Sequence, residues 1–159
     1  LNDSVLRSHW AAYAESSEGA GHVPDRSRWR ICRDIYIADT DEQARAEALE
    51  SSMADAYEQY FFPLMRSLET SNLWYDNGQM TPDDVTKEHL LATRWIVGSP
   101  ETVVHQLRKL YADVGGYGGL LMLCYDWQGA NGPRWRHSME LLAGEVLPQL
   151  ADLTGGSSR

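Results

Sequence analysis

The order of elements along this chain predicts an α/β fold with parallel strands, and three observations carry it. Short runs rich in Trp, Ile, Val and Leu alternate with longer segments whose apolar residues recur every three or four positions. The run 29–38 (WRICRDIYIA) is mostly apolar on both faces at its far end, as suits a parallel strand covered on both sides, and 120–125 (LLMLCY) is a continuous apolar run. The stretches between strands are long enough to hold helices, and strand–helix–strand units give right-handed parallel sheets.

Residues 5–14 are predicted helical, with Val5, Leu6, Trp10 and Tyr13 on one side and Asp3 or Ser4 as the cap. Residues 15–25 read as loop. Residues 29–38 (WRICRDIYIA) read as one strand. Thr40 or Asp41 caps a helix over 42–62, with Leu49, Met53, Tyr57, Tyr60 and Leu64 sharing a face and Pro63 breaking or kinking it. Residues 67–87 have no steady period. A short helix over 86–93 leads to a short strand at 95–97. Ser99 and Pro100 then open a helix over 101–114 that buries Val103, Val104, Leu107 and Leu110 or Tyr111. The glycines at 115, 116, 118 and 119 stop it. A turn at 126–133 follows the 120–125 strand, and the last helix, 134–150, turns Trp135, Met139, Leu142, Val146 and Leu150 inward. The tail 154–159 is expected to fray.

Composition narrows the function classes. Six Trp and eight Tyr among 159 residues, with 43% hydrophobic residues, indicate a folded single domain rather than a disordered chain. A net charge of −9 argues against a nucleic-acid partner, which needs a basic face. No apolar run approaches the roughly 20 residues that span a bilayer, so no membrane role is expected. Two cysteines cannot build a disulfide framework, and Cys32 and Cys124 are expected to be small core residues. His9, His22, His89, His105 and His137 are scattered, without metal-ligand spacing. No nucleophile elbow is present. The glycines before residue 120 follow a helix and precede a strand, the reverse of a dinucleotide fingerprint. The chain opens on Leu1 rather than Met, which leads us to expect a piece of something longer.

Four segments in order resemble the C-terminal part of the luciferase-like monooxygenases: Arg33-Asp34-Ile35-Tyr36-Ile37-Ala38-Asp39-Thr40-Asp41 before an Ala-rich helix, Val97-Gly98-Ser99-Pro100-Glu101-Thr102-Val103, Gly119-Leu120-Leu121-Met122-Leu123, and the 138–148 segment SMELLAGEVLP. Tyr125-Asp126-Trp127 is similar to the limonene/alkanal monooxygenase-like branch. The resemblance implies the C-terminal portion of a (β/α)8 TIM barrel with its N-terminal half absent, residues 69–94 belonging to the family's active-site insertion. It implies reduced FMN delivered by a separate flavin reductase, O2, a small hydrophobic substrate and a cytoplasmic location. The deazaflavin F420 is the alternative cofactor. A parent enzyme of this kind leaves the chain alone inactive, as a complement to an N-terminal half or a homo-oligomer. A non-catalytic flavin-binding or dimerising truncated barrel is the alternative function.

The site candidates follow from the barrel that the resemblance implies. Polar residues near the C-terminal ends of barrel strands read as catalytic. Arg33 and Asp34 are therefore candidates for polar contact or proton handling, with a structural ion pair as the plain alternative. Tyr125 and Trp127, at the exit of the last strand, are candidates for a flavin or substrate contact, against simple rim packing. Trp74 and Tyr75 on the long loop would close over substrate, or else fold onto the surface to hide two aromatics. Gly98-Ser99-Pro100 opens a helix whose N–H groups could take a phosphate, or is an ordinary cap.

Overall fold

The stretch 29–38 does not form one uninterrupted ladder. In the computed structural model, which describes residues 2–125 and 129–153, it divides at Asp34 into β1 (Arg30–Arg33) and β2 (Ile35–Ile37). β2 pairs in parallel with β3 (Ile96–Gly98), Ile35 opposite Ile96. β1 pairs in parallel with β4 (Gly119–Met122), Arg30 opposite Gly119 and Arg33 opposite Met122. The partner changes at Asp34, whose carbonyl accepts the Ile96 N–H at 2.9 Å. Among the described residues β3 and β4 share no ladder, so the sheet is two short parallel pairs. The candidate Trp127 and the tail 154–159 lie outside the described residues.

Helices fill the connections, as parallel pairing requires. α1 (Asp3–Gly19) precedes β1. Between β2 and β3 run α2 (Asp41–Leu49), α3 (Ser52–Ala56), α4 (Phe62–Ser67) and α5 (Lys87–Thr93). Then α6 (Pro100–Val114) joins β3 to β4, and α7 (Gly132–Leu141) follows. Neighbouring strand residues divide between two cores because their side chains alternate in direction. Ile31, Ile35, Ile37 and Ile96 pack with Val103, Leu107 and Leu110 of α6 and with Leu141 and Val146. Tyr36, Ala38, Trp95 and Val97 join Met53, Phe62, Trp74, Leu90 and Trp135. β2 and β3 are thus covered on both faces, as the apolar far end of 29–38 implied for β2. β4 is not: Leu121 is 61% exposed, and its ladder ends at Met122 although the apolar run continues to Tyr125.

Several boundaries differ from the sequence expectation for local reasons. The cap of α1 is Asn2, which accepts the Val5 N–H at 2.9 Å, rather than Asp3 or Ser4. The helix then runs beyond residue 14, through Glu15–Glu18, until Gly21 turns to φ 77°. The predicted helix over 42–62 breaks at Glu50, where the Ser51 hydroxyl accepts the Met53 N–H at 3.2 Å and starts α3. Pro63 does not end the helix. A π-helical segment, Tyr57–Phe61, widens the turn before it, which accommodates a residue with no N–H to give and a bulky ring. The wider turn also shifts the phase of the inward face. Tyr60 is therefore 60% exposed, while Phe62 is buried in place of the predicted Tyr60 and Leu64. The last helix repeats the device: the π segment Leu142–Val146 precedes Pro148. Trp135, Val146 and Leu150 are buried as expected, but Ser138 and Leu141 are buried where Met139 and Leu142 had been expected. Ser138 accepts the Ile37 N–H at 2.8 Å, which is why a polar residue sits there. Cys32 is exposed rather than core, because β1 alternates buried and exposed positions.

Two side chains lock the ends of α6. At its C-terminus Gly115 takes φ 77°. The Arg26 guanidinium donates to the Val114 and Gly116 carbonyls at 2.7 and 3.0 Å while lying 4.2 Å over the Trp10 ring. At its N-terminus the Asp41 carboxylate accepts the Ser99 N–H at 2.6 Å and the Thr102 hydroxyl at 2.9 Å. These bonds, led by the one from the Ser99 N–H, hold the Asp41 carboxyl below the usual carboxylate range. The contact needs a glycine at 98, where a Cβ would come 2.6 Å from Thr102 and 2.8 Å from Asp41. Gly98→Ala is accordingly expected to lower stability by about 1–3 kcal/mol, the usual cost of overpacking, read as a lower urea midpoint.

Candidate functional site

Arg33 and Asp34 stand next to each other on the strand but do not pair. Arg33 is 7% exposed and donates to Asp3 of α1 at 2.7 Å, so it is the structural ion pair that was its plain reading. Asp34 is 8% exposed and receives two phenols. Tyr57 donates to its Oδ2 at 2.7 Å, and Tyr125, three residues beyond β4, donates to its Oδ1. The three predicted catalytic residues thus separate. Asp34 and Tyr125 come together with an unpredicted Tyr57, while Arg33 pairs with Asp3.

Electrostatics follow from this arrangement. Burial, and then the Asp34 charge, push the ionisation of both Tyr57 and Tyr125 far above the ordinary phenol value. Both therefore stay protonated donors across any working pH. The Cys32 thiol is also pushed up, first by desolvation and then by Asp34, so it is a poor nucleophile. Burial, with a smaller push from Tyr111 and against the pull of Arg33, raises Tyr117 to about 12, and burial together with a hydrogen bond to Glu47 raises Tyr36.

Asp34 lies in the wall of a cavity of about 460 Å³. Its aromatic lining comes from Trp29, Tyr57, Phe61 and Trp74, and its aliphatic lining includes Ile31 and Leu90. Trp74 is buried, with its ring centroid 5.8 Å from Tyr57 and 5.7 Å from Phe62, so it is a wall rather than a free flap. Its carbonyl accepts from Arg94 at 3.3 Å and lies 3.1 Å from His89 Nε2. Asp76 pairs with both of those side chains. Tyr75 does not line the cavity. Its carbonyl accepts from Asn2 at 3.1 Å, which ties the loop to the start of α1. The phosphate reading of Gly98-Ser99-Pro100 does not hold in this geometry, because the Asp41 carboxylate already occupies the Ser99 N–H. Among the described residues no group of three or more His, Cys, Asp or Glu side chains is placed to hold a metal ion.

Residues 3–118 match the luciferase-like monooxygenase family. The chain belongs to that family. Among similar proteins, 3,6-diketocamphane 1,6-monooxygenase of Pseudomonas putida is 32% identical over 146 residues, covering 92% of this chain and 38% of that protein. Limonene 1,2-monooxygenase of Rhodococcus erythropolis is 27% identical over 143 residues, covering 90% and 34%. Among solved structures, the oxygenating constituent of 3,6-diketocamphane monooxygenase from the Pseudomonas putida CAM plasmid, a type II Baeyer–Villiger monooxygenase in complex with FMN, superposes with a TM-score of 0.82. It is 32% identical and matches 93% of this chain and 40% of its own. The luciferase-like chain thus spans about two fifths of the length of these relatives. It has no described helix long and apolar enough to cross a membrane.

Tyr57 was legible only as one of five apolar positions on a helix face. Nothing local marks it as a partner of Asp34, since the two meet only through the π segment and the packing of Trp95 against its ring at 5.3 Å. Arg94 and His89 likewise carried no sequence signal of their hold on Trp74.

The phenol shifts set a pH dependence. A folded-state ionisation above the unfolded value near 10 adds stability that is complete below about pH 10 and lost as pH rises further. Urea midpoints are therefore expected to fall between pH 10 and 12. Absorbance at 295 nm should show that at least Tyr36, Tyr57, Tyr117 and Tyr125 of the eight tyrosines remain protonated at pH 10.5 in the folded chain.

Proposed function

We propose that this chain is the C-terminal portion of an FMN-dependent monooxygenase of the Baeyer–Villiger type, supplying closing βα units of a (β/α)8 barrel. The observation that carries the reading is the aromatic cavity at Asp34. Its volume lies within the range of about 300–1,000 Å³ typical of small-molecule sites, and its aromatic and aliphatic lining is joined by the Asp34 carboxylate, His9 and the side chains of Arg30, Arg33 and Arg94. These residues fit the flat ring of a flavin. For its phosphate they offer less: the α6 N-terminus is filled by Asp41, the guanidiniums of Arg33 and Arg94 are held by Asp3 and Asp76, and Arg30 bonds the Ser27 and Trp29 carbonyls. This chain therefore contributes the ring and substrate side of the site.

Reduced flavin, delivered by a separate reductase, supplies the oxygen-activating chemistry when bound. The chain's own residues do the rest. Trp29, Phe61 and Trp74 wall off water and favour a small cyclic hydrophobic substrate. Asp34 offers a fixed acceptor, and Tyr57 and Tyr125 keep it oriented. On this reading the chain alone does not turn substrate over. The same wall suits the deazaflavin F420, and the FMN bound in the solved Pseudomonas putida relative favours FMN.

Titration of FMN fluorescence with the chain tests the reading. Saturable quenching is expected, with Trp74→Leu weakening it by a few-fold to about tenfold, the worth of one aromatic contact. Absence of quenching at millimolar FMN would remove the cavity from the flavin site.

The open face of β4 favours a second reading, in which the chain associates as a truncated barrel. Leu121 is 61% and Leu147 53% exposed, and exposed apolar residues beside an unpaired strand edge invite pairing. Sedimentation velocity should then show a dimer that Leu121→Asp dissociates. A wild-type monomer at 100 µM counts against it.

A further inference from the structure

The two oxygens of Asp34 offer about four acceptor positions. The Tyr57 and Tyr125 hydroxyls take two of them. Among the described residues no cation pairs with the carboxylate, since the adjacent Arg33 is turned to Asp3. What remains of Asp34's surface belongs to the cavity wall. A nearly buried carboxylate with unused acceptor capacity calls for another donor. The wall also holds His9, Arg30, Arg33 and Arg94, but none of them bonds Asp34: Arg30 is turned to the Ser27 carbonyl, Arg33 to Asp3 and Arg94 to Asp76. A further donor therefore has to arrive with whatever fills the space.

The shape of the space narrows what that is. Ring faces from Trp29, Tyr57, Phe61 and Trp74 favour a flat occupant, and a carboxylate favours a neutral donor edge over an anionic one. We infer that Asp34 accepts a hydrogen bond from a ring N–H of a flat heteroaromatic ligand, and that Tyr57 is the positioning residue that aims the carboxylate at it. This rests on the flavin reading, under which the donor is the imide N–H of the flavin ring. Tyr57 suits the task for two reasons beyond its hydroxyl. It begins the π segment Tyr57–Phe61, a local widening often found at functional sites, and its ring is clamped by Phe61, Phe62, Trp74 and Trp95 at centroid distances of 5.0–5.8 Å. The π turn places Tyr57 on Asp34 and brings Phe61 into the same wall.

Two phosphate-free flavins separate the claims: lumiflavin, and 3-methyllumiflavin, which lacks the imide N–H. Fluorescence titration of the 159-residue chain is expected to show tighter binding of lumiflavin by about tenfold or more, the worth of a hydrogen bond to a charged group. Asp34→Asn should remove most of that preference. Tyr57→Phe should reduce it by lowering lumiflavin affinity more than 3-methyllumiflavin affinity, with the circular dichroism spectrum unchanged, which a merely structural role would not do. Equal affinity of the wild-type chain for the two flavins overturns the inference without needing any variant, and leaves the flavin reading standing. A preference that survives Asp34→Asn also overturns it. Binding of neither flavin overturns the flavin reading and this inference together.

Discussion

A carboxylate in the middle of a strand, with 8% of its surface exposed, must find donors, and Asp34 finds them from two distant parts of the chain. Tyr57 comes from the helical insertion after β2, and Tyr125 from the exit of β4. The backbone of the same residue hands the strand from one partner to the other, its carbonyl taking the Ile96 N–H as the β2–β3 ladder begins. One position therefore joins both ladders, the π segment and the cavity wall. Replacing its charge removes the shared acceptor of two buried phenols as well as a site group, because an unpaired buried donor costs about 1–3 kcal/mol.

The two π segments show how proline is accommodated here. Pro63 and Pro148 each lie two residues beyond such a segment. Proline in a helix interior has no N–H to give, and its ring presses on the carbonyl of the turn before. A wider turn relieves both problems and lets the chain continue in one direction. The cost is a slipped face, and the slip places Phe61 in the cavity wall while Tyr60 points to solvent.

That slip also marks the limit of what periodicity reveals. Alternation of strands and helices, the capping of α6 by Ser99 and the stop at Gly115 were all legible, because each depends on residues close in sequence. The burial of Val103, Leu107 and Leu110 followed from regular spacing on an undistorted helix. Asp34 stood out as a charge in an apolar strand, and Tyr125 by its place at a strand exit. Tyr57 did not stand out, because its role depends on a π turn and on a residue 23 positions away. Arg33 stood out for the same reason as Asp34, and its pairing with Asp3 of α1 was invisible because the two lie 30 positions apart. The exposure of Leu121 was equally invisible, since an apolar run says what a strand would cover and not whether anything covers it.

The handover at Asp34 has a consequence for how the chain assembles. Ile35 and Ile96 are 61 positions apart, and Arg30 and Gly119 are 89 apart, so both ladders close long loops. Closure entropy grows only with the logarithm of loop length, so the two costs differ little when each is formed from the open chain. Once β2 and β3 have paired, however, Gly119 lies only 21 positions beyond Gly98, and most of that span is the single helix α6. The second ladder then closes a short, already stiffened connection. Coupling the two through one strand makes β1–β4 pairing cheap after β2–β3 pairing, so the sheet gains cooperativity from sequence order as well as from packing.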